Sequence, residues 1–367
     1  MTPATPYYLL DESRLLRNLA IVDRVRRSSG AKAVLALKCF ATFGVFPLLR
    51  DHLDGTTSSS LHEARLGHEE FGGEVHAYSV AWSRDEVEQV AAFADKVIFN
   101  SASQLRTFHP LVEHLVVGVR VNPGLSHSHY DLADPARRFS RLGITDADEL
   151  REVAPLVSGL MFHFNCENGD VDDLARSLAR IGERYADVLH RMDWISLGGG
   201  ISFTSDDFDL DRFCDLLADT AARFGVQIYL EPGEAVVTRT AELVTSVLDV
   251  VHNELPVAIV DASIEAHMLD HLIYGTTPAI AFPPPGAHRT LVAGRTCLAG
   301  DSFGDHSLDA PLAVGDEVRF ADAAGYTMVK ANWFNGVPRP SIVVRRLDGS
   351  IDVVREFSYE DFRSNLS

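Results

Sequence analysis

Short apolar runs and amphipathic segments alternate along the first two thirds of the 367-residue chain. Residues 13–27 place leucines and valines at helical spacing, which predicts an amphipathic helix. The apolar run 34–37 follows and ends at Lys38. Seven further short runs precede residue 235, and they predict strands at 55–60, 75–80, 96–100, 117–122, 159–164, 194–199 and 226–231.

Helical patterns separate most of these runs, and they lie at 61–71, 85–94, 170–185 and 208–224. Ser83 precedes an acidic first turn and is the predicted N-cap of the second of these helices. Strands that alternate with helices indicate right-handed βαβ units and a parallel sheet. Eight units in about 200 residues favour a closed (β/α)8 TIM-type barrel over an open sheet. The weakest strand is 55–60, because that run is polar.

The pattern changes after Glu234. β-Branched residues are frequent at 236–251, and short apolar runs follow at 257–261 and 289–293. Asp348-Gly349 lies between two further runs, which predicts a hairpin. A single core seldom exceeds about 250–300 residues, so two domains are expected. We predict an α/β plus β protein, with a barrel at 11–235 and a mostly antiparallel β domain formed by 1–10 and 236–367.

Composition limits the class of partner. The chain has 33 Lys and Arg against 52 Asp and Glu, a formal net charge of −19. No basic stripe suggests nucleic acid, and an anionic membrane would not attract this protein. The four cysteines form no CxxC pair, and no apolar run reaches the roughly 20 residues of a membrane helix. The N-terminal residues lack a signal-peptide pattern. We therefore expect a soluble, reduced, cytoplasmic protein.

Unusual polar residues fall at the predicted strand ends, where barrel enzymes carry their catalytic groups. Lys38 ends the first strand, Arg120 lies in the fifth, and His163 ends the sixth. An amine at an apolar barrel mouth can form a Schiff base with a carbonyl, although a strand-end lysine can also simply snorkel. Likewise, His163 could be a satisfied core histidine. The coincidence of several such residues predicts a site.

Two further motifs end the seventh and eighth strands. The run 198–200 is Gly-Gly-Gly, which can bring backbone N–H groups close to a phosphate or can form a tight turn. Glu231 begins Glu-Pro-Gly, and its carboxylate could keep a pyridine nitrogen protonated or form a local salt bridge. His127 and His129 have no third ligand at a suitable spacing, so no metal site is predicted.

Taken in order, these motifs resemble a known family. The chain carries ALKCF, then His163, GGG, EPG, GRTCLAGD and GYT. This set is similar to that of the fold-type III decarboxylases of basic amino acids, which depend on pyridoxal 5'-phosphate (PLP) and pair an alanine-racemase-like barrel with a β domain. Longer stretches, GLMFHFNCEN, SIEAHMLD and DAAGYTMVKANWFNG, resemble the branch that acts on carboxynorspermidine and carboxyspermidine. The resemblance implies a carboxy-lyase of polyamine biosynthesis.

The resemblance also implies roles for individual residues. Lys38 would hold PLP. Cys297 would come from the second subunit of a homodimer with shared active sites and protonate the substrate carbon after CO2 departs. The remaining cofactor contacts would be Arg120, His163, Gly199, Gly200, Glu231, Gly233 and Tyr326. Cys297 could instead be a buried small hydrophobe, and Tyr326 a core aromatic.

Three acidic residues are expected at the substrate. Glu234 stands where ornithine and arginine decarboxylases carry an arginine that pairs with the phosphate. The missing cation leaves the phosphate to backbone donors and Tyr326, and the new carboxylate can bind an amine. Asp270 is the second expected polyamine contact, unless it only caps or forms a salt bridge locally. Asp301 would line the shared site.

Alternatives remain within and outside this reaction class. A diaminopimelate, ornithine or arginine decarboxylase would share the fold. An alanine racemase is disfavoured, because that family places an arginine where this chain has Glu231. A regulatory or binding homologue without activity is a third possibility, against which Lys38 and Cys297 argue. A metal-dependent barrel hydrolase would lose its activity to a chelator.

Overall fold

The structure is a computed structural model that describes residues 3–281 and 286–367. In chain order its strands are β1 Tyr7–Asp11, β2 Lys32–Ala36, β3 Gly55–Ser58, β4 Glu74–Tyr78, β5 Lys96–Phe99, β6 Val116–Val121, β7 Gly159–Phe162, β8 Trp194–Ser196, β9 Gln227–Leu230, β10 Ala241–Asn253, β11 Leu255–Val260, β12 His288–Ala293, β13 Ser302–Leu308, β14 Glu317–Ala321, β15 Ser341–Arg345 and β16 Ile351–Arg355.

The α-helices are α1 Glu12–Ser29, α2 Phe46–Leu49, α3 Leu61–Leu66, α4 Arg84–Val90, α5 Ala102–Val112, α6 Ala147–Val153, α7 Val171–Leu189, α8 Leu210–Phe224, α9 Glu234–Val237, α10 Ile264–His267, α11 Leu269–Tyr274 and α12 Tyr359–Ser364. Contacts between residues divide the chain into two compact units. The barrel unit is Arg17–Val236, and the sheet unit combines Met1–Leu16 with Val237–Ser367.

The barrel unit contains a closed barrel of eight parallel strands, β2 to β9 in sequence order. Ala36 pairs with Thr57 of β3, and Ala33 pairs with Leu230 of β9, which closes the barrel. The predicted (β/α)8 barrel is therefore confirmed. Its interior is filled by large side chains from six strands, which are Val34, Tyr78, Ile98, Met161, Trp194 and Tyr229.

Charged groups gather where the barrel strands begin. Glu74 accepts hydrogen bonds from Lys32 and Lys96, and it also contacts the ring of His76. Burial alone would raise the pKa of Glu74, but these three partners hold it well below its usual range. Because this end is opposite the catalytic end of such barrels, we assign this cluster to stability.

Local sequence explains where several barrel helices begin and end. Ser83 caps α4 in a reciprocal capping box with Glu86, so the predicted N-cap is confirmed. The predicted helix 61–71 is divided, because its second half is a π-helical turn in which the amide of Gly72 donates to the carbonyl of Gly67.

The sheet unit has the strand order β13-β12-β11-β10-β1-β15-β16, with β14 also pairing with β10. Its pairs are antiparallel except β1 with β15 and β11 with β12. The expected N-terminal strand is confirmed as β1, which lies between β10 and β15. The predicted hairpin is confirmed too: Arg345 pairs with Ile351 around Asp348-Gly349. The β-branched run that starts at 236 becomes a strand only at Ala241, because α9 occupies its beginning.

Candidate active site

One pocket in the barrel unit collects four of the residues that the sequence singled out. Lys38 lies in the turn that follows β2 and is half-buried. It lines this pocket together with Arg120, His163 and Glu231. Tyr78 of β4 lines the same pocket. An amine, a guanidinium, an imidazole and a carboxylate thus meet where the barrel strands end.

Glu231 is a buried carboxylate that two hydroxyl groups hold. It follows β9 and is only 8% exposed. Ser196, at the end of β8, donates its hydroxyl to Oε1 over 2.5 Å, and Thr57 donates to Oε2 over 3.4 Å. The backbone amide of Glu231 donates to the carbonyl of Gly198. These bonds fix a carboxylate that can face a protonated ring nitrogen.

His163 is held as a neutral imidazole. The amide of Gly199 donates to its Nδ1 over 3.2 Å, so Nδ1 is an acceptor and we assign the proton to Nε2. Nε2 lies 3.7 Å from Sγ of Cys166. Burial, helped by the charges of Lys38 and Arg120, keeps the pKa of His163 well below its usual value. A neutral, fixed ring can stack on another aromatic ring.

Arg120 is a buried cation with a defined partner. Its Nη1 donates to the hydroxyl of Tyr78 over 2.9 Å, and that hydroxyl donates to Oδ1 of Asn100 over 2.9 Å. The guanidinium carbon also lies 5.4 Å from the centre of the Tyr78 ring. Burial raises the pKa of Tyr78, more than the charge of Arg120 lowers it. The phenol is therefore protonated and able to accept from Arg120.

The glycine turn after β8 has no room for side chains. A Cβ on Gly199 would lie 2.3 Å from the carbonyl oxygen of Glu231. Gly200 has a φ of +89°, and a Cβ there would lie 2.6 Å from the carbonyl oxygen of Asn165. Gly233 is equally crowded, against the side chain of Cys39. The turn therefore needs glycine on steric grounds, and it exposes backbone rather than side chains.

Four of the predicted residues lie in the sheet unit. Cys297 is exposed in the turn between β12 and β13, and its amide donates to Oδ1 of Asn335 over 2.7 Å. Asp301 is buried and closes the same turn, because its carboxylate accepts from the amide and hydroxyl of Thr296 and from the amide of Ile264. An ordered turn thus presents the thiol.

The other two sheet-unit residues lie near one lysine. Asp270 forms an ion pair with Lys330, so the local salt bridge considered for it is present. Nζ of Lys330 lies 5.3 Å from the centre of the Tyr326 ring.

Glu234 is an exposed residue at the start of α9.

Other expectations concern metals and membranes. Within residues 3–281 and 286–367, no group of three His, Cys, Asp or Glu side chains is arranged to hold a metal ion. His127 instead contacts the hydroxyl of Ser177 over 3.0 Å. No helix in the described part of the chain is both long enough and apolar enough to cross a membrane.

Comparison with known proteins identifies the family. The family described as pyridoxal-dependent decarboxylase, C-terminal sheet domain, matches residues 78–324. A carboxynorspermidine/carboxyspermidine decarboxylase of Herminiimonas arsenicoxydans is 51% identical over 364 residues, which cover 99% of this chain and 100% of the relative. The chain belongs to the pyridoxal-dependent decarboxylases.

Two further relatives of this decarboxylase extend the comparison. A carboxyaminopropylagmatine decarboxylase of Synechocystis is 36% identical over 99% of this chain and 95% of its own length. The crystal structure of a Campylobacter jejuni carboxynorspermidine decarboxylase, complexed with norspermidine, superposes with a TM-score of 0.91. It is 34% identical and covers 99% of this chain and 100% of that one.

The decarboxylase is a carboxy-lyase that uses PLP, and the residues of its barrel pocket fit that cofactor. Lys38 offers an amine for an aldehyde, Glu231 a buried carboxylate for a pyridine nitrogen, and His163 a neutral ring for stacking. The turn around Gly199 and Gly200, which a Cβ would fill, suits a phosphate group.

Sequence reasoning missed Tyr78, Asn100, Ser196 and Cys166, all of which contact the pocket residues. Ser196 and Asn100 do fall at strand ends, and that position was a usable signal. Tyr78 likewise ends β4, whereas nothing in the local sequence marks Cys166.

Proposed function

We propose that this enzyme decarboxylates carboxynorspermidine and carboxyspermidine to norspermidine and spermidine, as a step of polyamine biosynthesis. The observation that carries the proposal is the 51% identity, over the full length of both chains, with the Herminiimonas decarboxylase of that name. The norspermidine-bound Campylobacter enzyme, with its TM-score of 0.91, supports the same substrate class.

In the proposed mechanism the barrel residues hold the cofactor. Lys38 would hold PLP through Nζ, and Glu231 would keep a proton on the ring nitrogen. The neutral imidazole of His163 would stack on the ring, and Arg120 would donate a hydrogen bond near the ring. When bound, PLP supplies an electron sink for the pair left on the substrate carbon as CO2 departs.

The phosphate is proposed to bind through backbone groups rather than an arginine. The amide of Gly200 and the backbone at Gly233 would provide donors, and the hydroxyl of Tyr326 would add one more. The amide of Gly199 donates to Nδ1 of His163 in this structure, so it would have to share its proton with the phosphate or turn towards it. Glu234 occupies the position where ornithine and arginine decarboxylases carry an arginine that pairs with the phosphate. In this protein, therefore, no cation from that position would help to bind the phosphate.

The same Glu234 carries the proposed recognition of a polycationic substrate. A carboxylate binds an ammonium group through charge-assisted hydrogen bonds. Asp270 is a second proposed contact, although a substrate amine there would have to share or displace Lys330. Asp301, whose carboxylate already accepts three protein donors, would line the site mainly by holding its turn.

Cys297 is the proposed proton donor, and its place in the sheet unit supports a homodimer. We propose that Cys297 of one copy serves the pocket around Lys38 in the other, so that two copies share two sites. Its Sγ proton would pass to the substrate carbon that lost CO2, and the thiolate would recover a proton from water. Exposure of Cys297 in the single chain is compatible with this role.

A substrate series tests the proposal. We would measure CO2 release from carboxynorspermidine, carboxyspermidine, carboxyaminopropylagmatine, meso-diaminopimelate, ornithine and arginine. We expect kcat/KM for the first two to exceed that for the amino acids by at least about 100-fold, since unfilled polar contacts penalise shorter substrates. A preference for diaminopimelate, ornithine or arginine would overturn the proposal.

Carboxyaminopropylagmatine is the second candidate substrate, because the Synechocystis relative is 36% identical over nearly the whole chain. A higher kcat/KM for this compound would favour that activity instead. Lys38→Ala is the control variant, and it should lose both turnover and the visible absorption of bound PLP. Wild-type protein that binds PLP yet releases no CO2 from any compound would indicate a non-catalytic homologue.

A further inference from the structure

The buried hydrogen-bond chain behind Arg120 lies outside every role considered so far. The chain joins three neighbouring strands: Tyr78 ends β4, Asn100 follows β5, and Arg120 lies in β6. Each of these side chains is between 5% and 6% exposed. Of these three residues, Arg120 and Tyr78 line the pocket described above. Asn100 is not among the lining residues, and it accepts the hydrogen bond of the Tyr78 hydroxyl.

The direction of every bond in this chain is determined by chemistry. A guanidinium can only donate, so the Tyr78 oxygen must accept from Nη1 of Arg120 and give its own proton to Oδ1 of Asn100. Oδ1 also accepts from the amide of Gly143 over 2.9 Å, and Nδ2 donates to the carbonyl of Arg141 over 2.8 Å. A flipped Asn100 amide would face its NH2 group to the amide of Gly143 and its oxygen to the carbonyl of Arg141, so both of those bonds would be lost.

Asn100 joins this chain to the segment that returns beside β6. Residues 122–146 connect β6 to α6. Near the end of that segment, the amide of Ile144 donates to the carbonyl of Arg120 over 3.0 Å. A Cβ on Gly143 would lie 3.1 Å from Cγ of Arg120. The backbone and the stem of Arg120 are therefore packed against this segment.

We infer that Tyr78, itself oriented by Asn100, is a positioning residue that fixes the guanidinium of Arg120 at the cofactor. An arginine side chain has many rotamers, and a buried one settles where its donors find acceptors. The Tyr78 hydroxyl is such an acceptor, and Tyr78 lines the same pocket as Arg120. This inference rests on the proposed contact between Arg120 and PLP.

The test variant is Tyr78→Phe, which keeps the ring against the guanidinium and removes only the hydroxyl. We expect the dissociation constant of PLP, measured by titrating apoprotein, to rise about tenfold, as for loss of one hydrogen bond to a charged group. The visible absorption band of bound PLP should shift, because the cation beside it moves. Tyr185→Phe is the matched control: Tyr185 is also buried, and within the described residues its hydroxyl has no hydrogen-bond partner.

A double-mutant cycle separates positioning from a merely structural effect. If Tyr78 acts through Arg120, Tyr78→Phe combined with Arg120→Lys should bind PLP no more weakly than Arg120→Lys alone. Effects that multiply in the double variant would overturn the inference. The inference would also be overturned if Tyr78→Phe bound PLP with wild-type affinity while Arg120→Lys bound PLP weakly. Unchanged affinity in Arg120→Lys itself would instead contradict the proposed role of Arg120.

Discussion

At the scale of single residues, the proposed chemistry depends on the carboxylate of Glu231 and on its orientation. Its two carboxylate oxygens are held from different strands, by Ser196 and by Thr57. Glu231→Gln replaces the charge with a neutral amide of the same shape, which cannot hold a proton on a pyridine nitrogen. We expect kcat to fall by about 10²- to 10³-fold, as when one preorganised electrostatic group is removed.

This prediction has a graded control. Ser196→Ala removes one of the two hydroxyl groups that donate to Glu231 but leaves the carboxylate itself, so kcat should fall less than in Glu231→Gln. Bound PLP, measured from its visible absorption, should remain near one per chain in both variants, because Lys38 and the glycine turn are untouched. Wild-type kcat in Glu231→Gln would refute the assignment of Glu231 to the ring nitrogen.

The residues of the pocket were predictable to different degrees. Lys38, His163 and Glu231 each stand at the end of a predicted strand, and parallel strands bring their ends to one mouth, so sequence order sufficed to group them. The contacts of Tyr78 with Arg120 and Asn100 join three strands. They depend on barrel closure and on side-chain direction, and neither of these can be read from local spacing.

At the scale of elements, the glycine turn after β8 makes a steric prediction. Gly200→Ala places a Cβ 2.6 Å from the carbonyl of Asn165 at a φ of +89°, so the turn must shift. We expect the dissociation constant of PLP to rise at least about tenfold, because displaced amides bind phosphate less well. Equilibrium titration of apoprotein with PLP measures this effect.

The matched control is Gly225→Ala at the end of α8. Gly225 also has a positive φ, +71°, but a Cβ there meets no atom within 4 Å. This variant should lose about 1–2 kcal/mol of stability through backbone strain while keeping PLP affinity. Equal losses of PLP affinity in both variants would show that general strain, rather than the shape of the phosphate turn, is responsible.

Element prediction succeeded where periodicity and connectivity agreed. The polar run at 55–60 is strand β3, because burial between β2 and β4 outweighs its poor propensity. The structure differs from the prediction at the start of the β-branched run after Glu234, because α9 forms there before β10 begins. Side-chain branching alone does not reveal such a helical turn.

At the scale of the whole molecule, the proposed homodimer predicts complementation between inactive chains. Lys38→Ala and Cys297→Ala should each be inactive or severely impaired. If the two residues of one site come from different copies, each mixed dimer regains one intact site. Random exchange should then restore about a quarter of wild-type activity. Polyamine release after mixing, with subunit exchange followed by mass tags, measures the recovery.

The outcome that contradicts this prediction is demonstrated exchange without recovery. That result would place Lys38 and Cys297 of the same chain in one site, or remove Cys297 from the reaction. A mixture of Lys38→Ala with Lys38→Arg is the control, since neither chain carries a functional lysine and no mixed dimer can recover.

The architecture of the whole chain could be predicted by counting the strand-like and helical segments in the sequence. Eight strand-like runs with intervening helices specified the barrel, and the change after Glu234 specified the second fold. The identity of the substrate did not follow from physics alone. It depends on which amines Glu234, Asp270 and Asp301 meet. Asp270 pairs with Lys330, and Asp301 accepts from Thr296 and Ile264.

The position of β1 has a consequence for synthesis on the ribosome. This strand is translated before the barrel strands, yet its two neighbours, β10 and β15, begin at Ala241 and Ser341. The whole barrel unit, which ends at Val236, is therefore translated while β1 has no sheet to join. At about 5–20 residues per second the strand waits at least about ten seconds for β10 and longer for β15. The nascent chain must keep the apolar segment YYLL from pairing wrongly throughout that interval.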